Sequence, residues 1–273
     1  MSGDLERERL AATFDTAAEL YQDARPNYPE VLFDRLVQVA GLRPGHLVLE
    51  VGAGPGKATL PLLRRGLRVT ALEPGAALAA QARANLAGQP AEVVQVRFED
   101  WSGPWGDFDL VAAATAWHWV DPGRRYQLAA AVLRPGGHLA TWGASHVFPP
   151  GGDSFFEDIQ EVYDAIGEGE PAGAPRPAPG ELPEQTEEIE ASGLFEVVAV
   201  EQFDWTVDYD AEGYIRLLST FSGHIAAPPE QREHLYAEVR RRLAQRPDGR
   251  IRRGWGAVLH VARLRNTPDS RRR

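Results

Sequence analysis

Residues 47–56 read Leu-Val-Leu-Glu-Val-Gly-Ala-Gly-Pro-Gly, and the architecture of the chain is decided there. An apolar run carrying one acid, Glu50, predicts a buried strand over 47–52. Glycines at 52, 54 and 56 end it, and a helical pattern begins near Lys57. A strand that stops in a side-chain-free turn before a helix leaves bare backbone for a ligand to lie against. Amide N–H groups and the positive end of the helix dipole face that ligand. About twenty residues beyond the first glycine, Arg68-Val69-Thr70-Ala71-Leu72 runs into Glu73, an acid placed to accept the hydroxyls of a ribose. Together they predict a Rossmann-like βαβ unit that binds a nucleoside-bearing cofactor.

The glycine spacing narrows the cofactor. A dinucleotide fingerprint is G-x-G-x-x-G, whose third glycine makes room for a pyrophosphate. Here the spacing is G-x-G-x-G, and Lys57 stands at the fingerprint's third site. A ligand without a pyrophosphate needs less room. Glu50 at the strand end suits a ligand with an amino group, and Glu73 repels a 2′-phosphate. S-adenosylmethionine fits these features better than NAD, and NADP is disfavoured.

Outward from this corner, strands are predicted at 47–52, 68–73, 92–97, 108–114 and 138–143, with helices near 57–65, 76–87 and 122–133. Such alternation builds a parallel sheet with right-handed crossovers. Two helices precede it, over 5–24 and 30–40, separated by Arg25-Pro26-Asn27-Tyr28-Pro29. After Trp142 the pattern changes. A helix is expected over 155–166, and the Pro/Gly-rich residues 167–184 form a connector that cannot be helix or central strand. Strands at 195–207 and 254–264 flank a helical stretch, 211–246, broken at Pro228-Pro229. The expected fold is α/β: a Rossmann-like, seven-stranded, mostly parallel sheet with an antiparallel edge hairpin and a helical lid. Residues 1–45 would cap the cofactor site and 46–148 form the core. Residues 149–253 would supply the lid, 254–265 the last strand and 266–273 a disordered tail.

The chain has 273 residues, 43% of them hydrophobic, which suffices for a full core. A net charge of −10 argues against nucleic acid and anionic membrane as partners. Without cysteine there are no disulfides, thiolate zinc sites, iron–sulfur clusters or cysteine nucleophiles. The charged start and the absence of a long apolar run predict a soluble cytoplasmic protein. Its seven histidines show no metal-binding spacing, so no metal is expected.

Further candidates sit at the ends of the predicted strands. Ala53 lies in the glycine turn and Pro74 follows Glu73. Phe98 and Glu99, in Arg97-Phe98-Glu99-Asp100-Trp101, are placed to hold an adenine. Thr115 and Trp117 lie at the exit of the fourth strand with His118 and Trp119. His118 is a candidate general base. His146, past the fifth strand, is another, and His224 a weaker one.

The glycine motif, Glu73 and Leu133-Arg134-Pro135-Gly136-Gly137 together resemble the class I S-adenosylmethionine-dependent methyltransferases, in order and spacing, over nearly the whole chain. The pattern Phe14…Tyr21…Arg25-Pro26-Asn27-Tyr28-Pro29 and the tryptophan-containing strand exit are similar to the small-molecule subgroup that includes trans-aconitate methyltransferase. The resemblance implies that Gly52, Gly54 and Gly56 hold the methionyl part and Glu73 the ribose. It implies that Tyr21 and Arg25 fold over the cofactor, Arg25 pairing with its carboxylate. Arg97 stands where many relatives have an aspartate, so the adenine contact passes to the Phe98 backbone and Glu99. The implied activity is in-line methyl transfer to a small organic acceptor, at a hydroxyl, carboxylate or activated carbon, leaving S-adenosylhomocysteine. A carboxylate needs no base; otherwise His118, His146 or Tyr21 takes the proton. The alternatives are a non-methylating cyclase or binding protein of the same fold and, ranked lower, an NAD-dependent oxidoreductase. A monomer or homodimer is expected.

Overall fold

The computed structural model describes residues 24–167, 169, 174 and 176–265. Tyr21, with all but the end of the first predicted helix, and the tail 266–273 lie outside the described residues.

The first half alternates as its apolar spacing dictates. Helix α1 (Glu30–Val39) leads into β1 (Leu47–Val51), α2 (Thr59–Arg64), β2 (Arg68–Leu72), α3 (Ala76–Asn85) and β3 (Ala91–Val94). Then come β4 (Phe108–Ala114), α4 (Arg125–Val132), β5 (Leu133–Trp142) and β6 (Ala144–Val147). Short helices α5 (Phe155–Asp158), α6 (Gln160–Ala165) and α7 (Thr186–Ala191) precede β7 (Phe195–Asp210). Helices α8 (Ala211–Leu218), α9 (Ser222–Ala226) and α10 (Pro229–Ala244) separate β7 from β8 (Arg250–Leu264).

The strands join one sheet in the order β3-β2-β1-β4-β5-β8-β6, with β7 also paired to β8. The pairs among β1 to β5 are parallel, and every pair made by β8 is antiparallel. Residues of β7 pair along β8 from Arg250 to Leu264, so β5 and β6 share the other side of β8. Gly143 therefore interrupts what is spatially one strand, and eight segments fill the seven expected positions. Several boundaries differ from expectation. β3 stops at Val94 because Phe98–Asp100 turn into a 3-10 helix. The Pro-Gly-Gly run is a bulge within β5, where the register jumps from Phe108↔Leu133 to Leu110↔His138. The hairpin strands run to Asp210 and from Arg250, each longer than their apolar alternation.

Successive strand residues point to opposite faces. Val48, Leu110, Ala112 and Ala140 pack against Leu32, Phe33 and Leu36 of α1 and Leu62 of α2. Leu49, Val111, Ala113 and Leu139 pack against Tyr126, Ala129 and Val132 of α4 and Ile189 of α7. A sheet covered on both faces needs near-continuous apolar strands, which is how β1 and β4 read. A third cluster joins Phe155 and Phe156, Leu217 and Leu218, Leu235 and Val239 to Trp255 at the far end of the β7–β8 hairpin. The additions after residue 148 thus have a core of their own. The described part of the connector is tied to the sheet: Phe148 N donates to Pro177 O, and Leu182 N to Gln202 Oε1 of β7.

At the amino end of the sheet, the buried Asp109 carboxylate accepts from Leu47 N at 2.7 Å and from Arg134 Nε. It ties the starts of β1, β4 and β5 together. Asp109→Ala strands these donors and should cost about 1–3 kcal/mol. The expected readout is a lower urea midpoint with an unchanged m-value.

Candidate functional site at the carboxyl end of the sheet

β1 lies between β2 and β4, so the chain leaves its carboxyl end where the strand order reverses, the place where open α/β sheets bind ligands. Gly52, Gly54 and Gly56 all adopt positive φ, at 68°, 55° and 94°. Gly52 N and Ala53 N both donate to Leu72 O, at 2.9 and 3.0 Å, stitching the corner to the end of β2. A Cβ on Gly52 would lie 2.5 Å from the Cβ of Ala116, so only glycine allows the β4 exit to pack this closely. A Cβ on Gly54 would meet nothing within 4 Å. Gly52 is thus needed for packing, whereas Gly54 borders open space. Turns occupy residues 54–58, and α2 starts at Thr59, two residues later than the periodicity suggested.

Two acids hold this corner. Glu73, 6% exposed, accepts from Gly54 N through Oε2 and from Gly75 N through Oε1, both at 2.8 Å. A carboxylate offers about four acceptor positions, and these bonds use one on each oxygen. Glu50 is fully buried. Its Oε2 accepts from the Thr59 hydroxyl at 2.6 Å, while its Oε1 finds no partner. Burial, with the Glu73 charge adding, pushes the Glu50 pKa up to about 8. An unpartnered buried carboxyl oxygen next to bare backbone is chemically suited to an incoming ammonium group. The residues present therefore fit an amino-acid-bearing nucleoside.

The rim beyond β4 is built from aromatic residues. Buried Phe98 and Trp117 pack at 6.5 Å between centroids, and Trp117 meets Tyr126 at 5.6 Å. Pro74 is exposed beside Glu73. Glu99 Oε1 accepts from Asp121 N at 2.9 Å and lies 3.5 Å from Arg97 Nη2. That oxygen is thus engaged in shaping the loop after β4. His118 is exposed at one edge, with its ring 4.5 Å from that of Trp119. Partial desolvation of its other side, then the Arg125 charge, lowers its pKa, so the imidazole is neutral at pH 7.

Thr115 is the one non-glycine with positive φ (53°) among the described residues. A β-branched residue there is strained by about 1–3 kcal/mol. Its N–H donates to Trp142 O at 2.7 Å. Its Oγ1 lies 2.5 Å from the Tyr28 hydroxyl and accepts from Ala144 N at 3.3 Å. His146, on β6, has its ring 4.4 Å from Trp255 and 5.7 Å from Phe221. Burial, with the charges of Arg253 and Arg25, drives its pKa well below the ordinary value. Arg25 donates to Thr220 Oγ1 at 2.8 Å and Thr220 O at 3.1 Å, and its guanidinium lies 4.0 Å above the Phe221 ring. Lys57, next to the glycine corner, donates to Arg25 O at 2.6 Å. Arg25 thus joins the corner to the turn between α8 and α9. His224 lies apart with Tyr163, its Nε2 3.3 Å from the phenol oxygen, and burial brings its pKa down to about 4.

The structure gathers Glu50, Gly52, Ala53, Gly54, Gly56, Glu73, Thr115 and, through Lys57, Arg25 around one corner. His146 adjoins it through Ala144, and His118 sits outside on the Trp117 side. The sequence reading missed Thr59, Tyr28 and Thr220. The Pro26-Asn27-Tyr28-Pro29 kink was a usable sign for Tyr28, since it fixes the chain just before α1. Among the described residues, no group of three or more His, Asp or Glu is arranged to hold a metal ion.

Residues 48–137 match the family model described as a methyltransferase domain. An uncharacterized methyltransferase of Mycobacterium tuberculosis is 32% identical over 246 residues, covering 88% of this chain and 89% of that protein. Among solved structures, a proposed type II methyltransferase from Anaeromyxobacter dehalogenans superposes with a TM-score of 0.65 at 23% identity, covering 88% of this chain and 97% of that one. The [4+2]-cyclase SpnF does so with a TM-score of 0.51 at 19% identity, covering 90% and 85%. At these identities the structural likenesses speak to fold alone.

The corner yields two predictions. Gly52→Ala should cost about 2–4 kcal/mol, from the clash and the left-handed backbone together, and Gly54→Ala only about 1–2 kcal/mol. Chemical denaturation of the two variants side by side checks the order. The raised pKa of Glu50 means that the folded state keeps a proton that the unfolded chain loses above about 4.5. That contribution to stability is fully present below pH 4.5 and is lost as pH rises through about 8. Glu50→Gln removes the titration. Its stability relative to the parent should therefore climb between pH 5 and pH 8, by about 3–5 kcal/mol at most, in urea melts at several pH values.

Proposed function

The chain belongs to the class I methyltransferase family, and from that membership we propose that it transfers a methyl group from S-adenosylmethionine to a small organic acceptor. The observation that carries the cofactor reading is the corner itself. Three left-handed glycines follow β1, Gly54 is pinned by Glu73, and Glu50 near the end of the same strand keeps one buried oxygen without a partner. In this reading Glu50 meets the cofactor's ammonium group, Gly54 gives its methionyl part room, and Glu73 accepts from the ribose hydroxyls. Phe98 and Trp117 back the adenine side. When bound, S-adenosylmethionine supplies an electrophilic methyl carbon.

The chain's own residues orient the acceptor and exclude water. The aromatic residues beyond β4 and β6 suit that work. Where the acceptor bears a hydroxyl or an acidic C–H, His146 is the preferred proton acceptor. Burial keeps its imidazole neutral, and its Nε2 has no partner among the described residues. His118 is more exposed to solvent. The net charge of −10 favours a small molecule over nucleic acid as the second substrate. None of the described helices is long and apolar enough to cross a membrane. The helices after residue 148, with Arg25 fastened to Thr220, form the lid in this reading.

Calorimetry tests the cofactor. S-adenosylhomocysteine should bind and NADH should not. Glu73→Gln should weaken S-adenosylhomocysteine by about 10- to 100-fold, the loss of one or two charge-assisted hydrogen bonds. Unchanged affinity would place the ribose elsewhere. Isotope transfer from methyl-labelled S-adenosylmethionine across an acceptor panel separates a methyltransferase from a cyclase of the same fold.

A further inference from the structure

Past the cofactor corner, one set of rings forms a continuous chain of contacts. Tyr28 meets Trp142 at 6.1 Å and Trp205 at 6.4 Å. Trp205 stacks on Trp255 at 6.4 Å and 17°, Trp255 meets His146, and His146 meets Phe221 beneath Arg25. Strand register explains the gathering. His146 and Trp205 both pair with Trp255, from the two sides of β8, so the three side chains share one face of the sheet.

These rings are packed, yet their polar atoms are not satisfied. Trp142 Nε1, Trp205 Nε1, Trp255 Nε1 and His146 Nε2 are all buried, and none has a hydrogen-bond partner among the described residues. A buried N–H without an acceptor is costly, so such atoms in a native fold ask for an explanation. Four in one contact chain ask for a common one. Tyr28, His146, Trp205 and Phe221 are also only half-buried, so their faces border space that solvent reaches. Indole nitrogens donate and never accept. What satisfies them must bring acceptor oxygens, and what lies against the rings must be flat and apolar. The Arg25 and Arg253 charges that act on His146 are of the sign that suits a negative group.

We propose that this recess, walled by Tyr28, Trp142, His146, Trp205 and Phe221, is the acceptor subsite, and that it takes an aromatic carboxylate. The proposal rests on the methyltransferase reading and gives its second substrate a chemical class. Thr115 connects the two sites: it bonds Tyr28 on the acceptor side, and the next residue, Ala116, lies under Gly52.

The test is binding to the full chain, read by intrinsic tryptophan fluorescence and calorimetry, with saturating S-adenosylhomocysteine present and absent. The probes are a panel of benzoates, hydroxybenzoates and cinnamates, with cyclohexanecarboxylate and benzylamine as controls. At least one aromatic carboxylate should bind saturably and quench the fluorescence. It should bind at least tenfold tighter than either control. Trp205→Phe keeps an aromatic ring, though a smaller one, and removes the N–H; it should weaken that probe at least fivefold and leave S-adenosylhomocysteine affinity unchanged. His146→Asn should also weaken the probe alone. Thermal melts verify that both variants fold. Three results overturn the proposal: no panel member binds, benzylamine or cyclohexanecarboxylate binds as well, or both variants keep the parent's affinity for the probe. If S-adenosylhomocysteine itself fails to bind, the methyltransferase reading falls. If it binds while the aromatic acids do not, only the acceptor assignment falls.

Discussion

One carboxylate holds the carboxyl end of the sheet in shape. Glu73 accepts from Gly54 N with one oxygen and Gly75 N with the other, and so fixes the loops after β1 and β2 against each other. Leu72 O adds two bonds, from Gly52 N and Ala53 N. Without this clamp the glycines would have no reason to keep left-handed backbone, since glycine pays more entropy than any other residue to be fixed. A ligand that engages Glu73 therefore meets a surface already organised, and little of its binding energy goes into ordering the loop.

The second acid makes sense beside the first. Glu50 and Glu73 sit at the carboxyl ends of adjacent parallel strands, and their charges disfavour each other. The conflict is resolved unequally. Glu73 has two amide donors; Glu50 has one hydroxyl donor and full burial, and holds its proton near pH 7. A cation arriving at this corner would reverse the balance by stabilising the Glu50 carboxylate.

Much of this was legible in the sequence for local reasons. The parallel core showed as apolar runs because both faces of the sheet are covered, and the corner showed because positive φ demands glycine. The length of the hairpin did not show. The outer stretches of β7 and β8 are held by pairing along their whole length, and charged pairs such as Arg252–Asp208 decorate them where apolar alternation would have signalled strand. The break at Gly143 was hidden because a strand and its continuation read alike. Long-range bonds were hidden too: Tyr28 and Thr115 lie 87 residues apart, and nothing in either segment announces the other. The bond from Asp121 N to Glu99 Oε1 spans 22 residues, and neither segment announces it either.

Thr115 shows how such hidden contacts serve a site. Left-handed backbone at a β-branched residue is unfavourable, so something must hold it. Three hydrogen bonds do so, to Trp142 O, the Tyr28 hydroxyl and Ala144 N. Each partner belongs to the aromatic side of the site, while the next peptide carries Ala116 into van der Waals contact with the glycine corner. The turn that Thr115 makes keeps the glycine corner and the aromatic cluster one residue apart. Glycine would adopt the same φ without strain, yet it would give up the hydroxyl that joins Tyr28 to β6. The strain is the cost of a side chain that faces both ways, and the part-buried bonds it enables offset it.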